Sequence, residues 1–531
     1  MLKNLAFIIK TYQDFIRTSD EKSLELDNVR LNAFFDAVSD TYIPLLQMFE
    51  RLEKDGIKFR VGMVIPPVLC AMLDNEKIQE LFVSYLEKRI ALGKKELNRA
   101  KENPKSVELI KSIVDKYNEQ KKLFTTQYQC NLINQFSEYH KKGYLEILAT
   151  CATDIFMPHY ADLPEAISAQ IEIGLQSYKH YFGDIPDGFF LPEFGYTPGI
   201  EKIIKSYGYA YTILHSRSVL LADNSPTDGI FYPTRMDNSL VIYAQDFSSC
   251  ELITGENAYS NASVYRNENR DIGFELDLKK LSPVMEQNSA RFGTGYKYWK
   301  KDFSEEPDFT YDPQMAAQQA KQDAQDFIKN RVELLDKAAA LAKNNEFVVS
   351  VCFINDNIIR RQWHEYLIWL EQVLRNSEAA GLNLVSPNQL ISKPFALEKS
   401  TPCFSAGTCE GYGENLLSSK NCWMMRYVRK ATERMIDLAE RFPSDTGLKT
   451  RLLNIGSVEL VLAQSSALAK MIEEDDCADY AERRFRLSIN AFTSVFDSLG
   501  SNTVSTEWLT TLESLDNIFP WINYKVFSTK K

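Results

Sequence analysis

The stretch "FFLPEFGYTPG", residues 189–199, puts one carboxylate, Glu193, directly behind an apolar run and a proline. A carboxylate at that point can attack an electrophilic carbon or take a proton. It can also do no more than accept backbone N–H groups of the loop it opens. A second polar cluster, Asn355-Asp356-Asn357, follows the apolar run "FVVSVCFI" in the same way. Other reactive groups are scattered. The nine cysteines contain no CxxC pair, so neither a zinc site nor a disulfide framework is expected. The chain opens without a phosphate-binding glycine loop, and no cofactor or metal is expected.

Such carboxylates need strand ends to hold them, and the chain supplies apolar runs at suitable intervals. "LAFII", "GIKFRVGMVIPP", "YLEILAT", "GFFLPE", "AYTIL" and "FVVSVCFI" read as strands separated by helical or loop sequence. Residues 27–54 have helical periodicity, and charged helices are expected at about 75–100 and 105–126. Strand–helix alternation over the first 400 residues argues for a parallel α/β architecture, and the length favours a barrel. In such barrels the chemistry sits at the C-terminal ends of the strands, where Glu193 would stand. After residue 400 the character changes. A polar loop leads into amphipathic helices, with Met424, Tyr427, Val428, Ala431, Met435, Leu438 and Phe442 on one face, so 401–531 reads as an all-helical domain.

The chain has 531 residues and a net charge of −11, which argues against a broad nucleic-acid or anionic-membrane surface. No run approaches the length of a membrane span. The N-terminus "MLKNLAFIIKTYQDF" lacks the apolar length and cleavage site of a signal peptide, so a cytoplasmic location is expected. Aromatic residues make up 12%, which a large core explains as readily as sugar stacking.

"FFLPEFGYTPGIEKIIKSYGYAYTIL" resembles the nucleophile motif of glycoside hydrolase family 57, closest to its 1,4-alpha-glucan branching enzyme type. The resemblance extends in order along the chain. It takes in "GYLEILATCATDIFMP", "AYSNASVYRNENRDIGFELD", "FGTGYKYWK" and "YGENLLSSKNCWMMRYVRKA". It implies a distorted TIM-like (β/α)7 barrel with helical insertions over 1–400 and a helical domain, 401–531, at the barrel mouth. It implies an α-glucan as partner and Glu193 as the nucleophile of a retaining transfer. That chemistry cleaves an α-1,4 link, holds the fragment on Glu193 and forms an α-1,6 link. It also implies substrate contacts at Tyr12, Asp154, Arg266, Gly295 and Trp423.

The pattern departs from the family at the second carboxyl group. Retaining transfer needs two, roughly 5–5.5 Å apart. The family's acid/base aspartate corresponds to Asn355 in "VCFINDNIIRRQWHEY", and an amide cannot donate a proton as a carboxylic acid does. The neighbouring Asp356 is a substitute only if the strand end bulges or the match to the family is one residue off, because successive strand residues face opposite sides. Lys10 and Tyr12 stand at histidine positions of the first motif, and Asp154 at a histidine of the second. Ile253 and Gly407 replace tryptophans, and Ala467 an aspartate. Three readings follow: a branching-type enzyme, a catalytically inactive carbohydrate-binding or regulatory relative, and a changed chemistry on an amino or acidic sugar with Lys10 and Asp154 as contacts.

Overall fold

The structure is a computed structural model that describes residues 1–17, 24–286, 290–301, 310–342, 346–391, 396–407, 411–444 and 446–529. Cys409 lies outside the described residues.

The apolar runs become strands: β1 (Leu2–Lys10), β2 (Val61–Val64), β3 (Leu145–Leu148), β4 (Gly188–Phe190), β5 (Tyr211–Leu214), β6 (Thr234–Arg235), β7 (Val241–Ala244), β8 (Phe347–Asn355) and β9 (Asn383–Leu384). One sheet runs β3-β2-β1-β8 and the other β4-β5-β7-β6, all parallel except β6. Single parallel bridges join the sheets twice, Ala149 to Phe189 and Gln245 to Val351. Seven parallel strands, β1, β2, β3, β4, β5, β7 and β8, therefore follow one another around a ring. β6 and β9 add two residues each, against the first halves of β7 and β1. The strand β7, from "VIYA", is one that the residue pattern had not singled out.

The alternation along each strand divides the core in two. Ala6 and Ile8 of β1, Val64, Leu148, Phe190, Tyr211, Ile213, Val241 and Tyr243 share one buried cluster with Val349, Val351 and Phe353 of β8. These fill the ring. Leu5, Phe7 and Ile9 belong to the outer cluster, against helices. Each fully buried side chain of this size contributes about 1.5–3 kcal/mol, so the alternation fixes the register. β1 and β8 pair residue for residue from Leu2–Phe347 to Lys10–Asn355. The inward series Ala6, Ile8 thus ends in Lys10, and the inward series Val349, Val351, Phe353 ends in Asn355.

The expected helices are present as Ile43–Lys54, Glu76–Arg99 and Pro104–Lys122. The longest, Pro313–Leu341, was not anticipated. Its inner face is largely alanine (Ala316, Ala320, Ala324), which gives a weak periodic signal, and Phe327 anchors it 5.0 Å from Trp369. Beyond residue 420 come Cys422–Arg441, Leu448–Ala463, Ser466–Glu474, Ala478–Ser501 and Thr506–Leu515. Met424, Val428, Ala431, Met435 and Leu438 are buried as expected, but Tyr427 is 49% exposed and leaves the stripe. These helices bind the barrel through polar contacts. Ser466 N and Oγ both donate to the Asp154 carbonyl, Thr153 Oγ1 donates to Val461 O at 2.6 Å, and Arg17 pairs with buried Asp516.

Candidate active site

Glu193 stands just past the end of β4, in the turn Pro192–Phe194. Its backbone is left-handed, φ 51° and ψ 26°, and Phe194 follows at φ 51°. Two successive non-glycine residues in that region cost about 1–3 kcal/mol each, so the surroundings must hold them. Phe194 N donates to Leu191 O at 2.9 Å, and Gly407 N donates to Glu193 O at 2.7 Å. A Cβ on Gly407 would meet the Phe194 ring at 2.7 Å, so a residue without a side chain is what lets the loop approach.

The Glu193 carboxylate lies between two ammonium groups. Lys10 Nζ, from the end of β1, donates to Oε1 at 3.2 Å. Lys470 Nζ, from the helix Ser466–Glu474, is 3.6 Å from Oε2. Lys10 is also 3.9 Å from Asp154 Oδ2. Burial pushes the Glu193 carboxyl up, but Lys10 and Lys470 outweigh it and hold it down at about 2. Asp154 moves the other way. Burial raises it, Lys10 opposes this, and the negative charge of Glu193 raises it further. Burial alone would lower Lys10, but Asp154 and Glu193 together raise it.

Two cavities open on Glu193. One, of about 260 Å³, is lined by Tyr12, Asp154, Ala467, Lys470 and Asp476 among others. The other, of about 210 Å³, is lined by Phe247, Glu251, Ile253, Phe353 and Gly407 among others. Lys10, Glu193, Asn355 and Ile358 line both. The three shortened positions, Ile253, Gly407 and Ala467, thus all face the space around Glu193.

Asn355 is brought to Glu193's cleft by the β1–β8 register, and its Oδ1 is buried without a hydrogen-bond partner among the described residues. A sugar hydroxyl could donate to it, but the amide has no proton to give a departing oxygen in an acid's manner. Asp356 does not replace it. The alternation carries Asp356 outward with Ile354, where Thr41 Oγ1 donates to it at 2.7 Å and Tyr366 Oη at 3.2 Å. It is buried there and lines neither cavity. Of the other expected contacts, Tyr12 and Asp154 join the cleft. Arg266 and Gly295 line a separate cavity with His364. Trp423 packs on Phe485 at 5.4 Å, under the Arg486 guanidinium. Sequence reasoning missed Lys470 and Glu251. Each arrives at the cleft on a helix whose docking only the fold specifies.

The family model of glycosyl hydrolase family 57 matches residues 6–288, and that of the 1,4-alpha-glucan branching enzyme C-terminal domain matches residues 427–527. The first covers more than half of the chain, and the chain belongs to glycosyl hydrolase family 57. Its relatives span two described activities. It is 24% identical to the 1,4-alpha-glucan branching enzyme TK1436 of Thermococcus kodakarensis, over 93% of this chain and 73% of that one. The crystal structure of AmyC, described as an alpha-amylase of Thermotoga maritima, superposes with a TM-score of 0.91 at 27% identity, covering all of both chains. A family 57 branching enzyme of Pyrococcus horikoshii superposes at 0.86 with 21% identity, over 100% of this chain and 98% of that one. The fold is theirs: a parallel α/β barrel with a helical C-terminal region.

Proposed function

We propose that the chain acts on α-1,4-glucan as a throttled glycosyl transferase of the branching-enzyme kind, passing a glucan fragment through Glu193 to a 6-hydroxyl. The observation that carries this reading is the state of Glu193: an ionised carboxylate facing open space on two sides, at the mouth of a family 57 barrel. A carboxylate must be ionised to attack the anomeric carbon, and a retaining transfer starts there. Throttling follows from two features. Asn355 supplies no acid, and a general acid is worth about 10²–10⁴-fold in rate. Lys10 and Lys470 also stabilise the charge on Glu193, which makes the carboxylate a weaker nucleophile.

The test is incubation with amylose, followed by enzymatic debranching and chain-length analysis. New α-1,6 branches made by the wild-type chain and not by Glu193→Gln support the transfer. The absence of both branching and hydrolysis counts against it.

The lysine bracket favours a second reading, a catalytically inactive α-glucan-binding or regulatory relative. Here Lys10, Asp154 and Tyr12 hold sugar hydroxyls, and Glu193 serves only as an acceptor. Binding of maltooligosaccharide that survives Glu193→Gln, with no product from either chain, selects this reading.

A further inference from the structure

The cavity that holds Arg266 and Gly295 is a different kind of place from the cleft. It has a volume of about 130 Å³, and its lining includes Lys116, Tyr117, Arg266, Lys297, Tyr311 and His364. It shares no lining residue with either cavity at Glu193.

Three cations line it, and two of their carboxylate partners, Glu268 and Asp40, sit behind them. Arg266 donates to Glu268 from Nε at 2.7 Å and from Nη2 at 3.2 Å, and Lys297 donates to the same carboxylate at 2.6 Å. Lys116 pairs with Asp40. Burial pushes both carboxyls up, but their cations prevail: Glu268 is held at about 2 and Asp40 lower still. Both are therefore ionised, while Glu365, which accepts from Arg266 N at 3.3 Å, is pushed up by burial. Asp36, close behind, has its own cation in Arg89.

Donors are left over. A guanidinium carries five N–H donors and an ammonium three. Arg266 uses Nε and Nη2 on Glu268, which leaves Nη1. Lys116 and Lys297 each have protons beyond the one their carboxylate accepts. The Tyr117 side chain is only 2% exposed, yet its hydroxyl has no hydrogen-bond partner among the described residues. Nor has the ring of His364, which burial and then Arg266 keep neutral by pulling its pKa down to about 3. Gly295 keeps the wall beside that hydroxyl open: it sits at φ +75°, and a Cβ there would lie 2.1 Å from Tyr117 Oη.

A cavity lined by three cations and no carboxylate, with unused donors, describes a site for a small oxyanion. The space is enough for a tetrahedral group. We propose that this cavity binds a phosphate group, held by Arg266, Lys116 and Lys297 with Tyr117 as a neutral donor. This inference does not rest on the chemistry at Glu193. The group can arrive as inorganic phosphate or as the ester of a small sugar whose body stays outside.

The test is calorimetric titration of the full chain with inorganic phosphate, and separately with glucose 6-phosphate, against chloride at matched ionic strength. Saturable binding is expected. It should weaken about tenfold or more in Lys116→Met, which removes one charge-assisted hydrogen bond. Tyr117→Phe keeps the ring and loses only the hydroxyl, and should weaken binding by a smaller factor. The His364 imidazole should move toward protonation when phosphate binds, read by NMR titration. Binding of the sugar ester alone, lost in the variants, assigns the site to a phosphorylated sugar. No saturable binding of either ligand above chloride, or binding that folded Lys116→Met and Tyr117→Phe leave unchanged, overturns the proposal.

Discussion

Glu193 and Glu268 are both half-buried carboxylates flanked by two cations, and both are held at about 2. Their surroundings nevertheless give them opposite work. Glu268 takes a two-pronged grip from Arg266, two residues away, and a 2.6 Å bond from Lys297. Its side chain is 4% exposed, and it ties the segment of Arg266 to that of Lys297. Glu193 takes looser pairs, 3.2 and 3.6 Å, from the end of a barrel strand and from a C-terminal helix. It also faces two cavities. A low carboxylate pKa therefore marks paired charge and not function. What separates the two is who holds the group and what space lies in front of it.

The sharpest way to break this contrast is covalent. α-Glucosyl fluoride has a leaving group that needs no proton, so it should glycosylate Glu193 despite the amide at 355. Intact-mass and peptide analysis should find a hexose on the "LPEFGY" peptide. Glu193→Gln should lose the adduct completely, and Glu268→Gln should keep it wherever the protein is folded. An adduct elsewhere, or none, places Glu193 with Glu268 as a structural group. The next test restores the acid. If Asn355 alone limits proton transfer, Asn355→Asp should raise turnover of α-1,4-glucan by about 10²–10⁴-fold and shorten the adduct's lifetime.

Stability should discriminate in the other direction. Glu268→Gln leaves buried Arg266 and half-buried Lys297 without their shared partner and should cost about 3–5 kcal/mol in urea unfolding. Glu193→Gln should cost less, because Lys10 keeps Asp154. Equal costs would erase the distinction.

Acid titration sharpens the same point. Glu268 has a folded pKa of about 2 against an ordinary value of 4.5. Between those values the unfolded chain binds the proton first. The stabilisation is whole above about pH 4.5 and is lost as the pH falls to about 2, amounting to about 3 kcal/mol. At the cleft, Glu193 has the same sign, but the raised pKa of Asp154 opposes it, since protonating Asp154 relieves a penalty in the folded state. Glu268→Gln should therefore flatten the acid limb of a stability–pH curve more than Glu193→Gln does.

The smallest effect concerns Asp356. Asp356→Asn disturbs its bonds to Thr41 and Tyr366 and should cost about 1–3 kcal/mol. The glucosyl-fluoride reaction should be unchanged. A slower reaction would return Asp356 to the list of acids.

Much of this was written locally in the chain. The six apolar runs became strands because period-two alternation has one low-energy solution when both faces are covered. The "LPEFGY" motif carries its own turn, and the alternation rule alone predicted that Asp356 would face away from Asn355. The shorter "VIYA" strand and the alanine-faced helix Pro313–Leu341 were harder to read, since four residues or a face of small side chains leave little periodic signal. What no local pattern contains is which distant groups meet. Lys10 and Asn355 are neighbours because β1 and β8 pair in register across more than 300 residues. Lys470 reaches Glu193 because a C-terminal helix docks on the barrel, and Arg266 turns away from the cleft because its loop closes on Glu268. Periodicity is a property of a segment, so the sequence determines it. The company a charge keeps depends on long-range packing, so only the tertiary structure decides whether a half-buried glutamate is held in place or left facing open space.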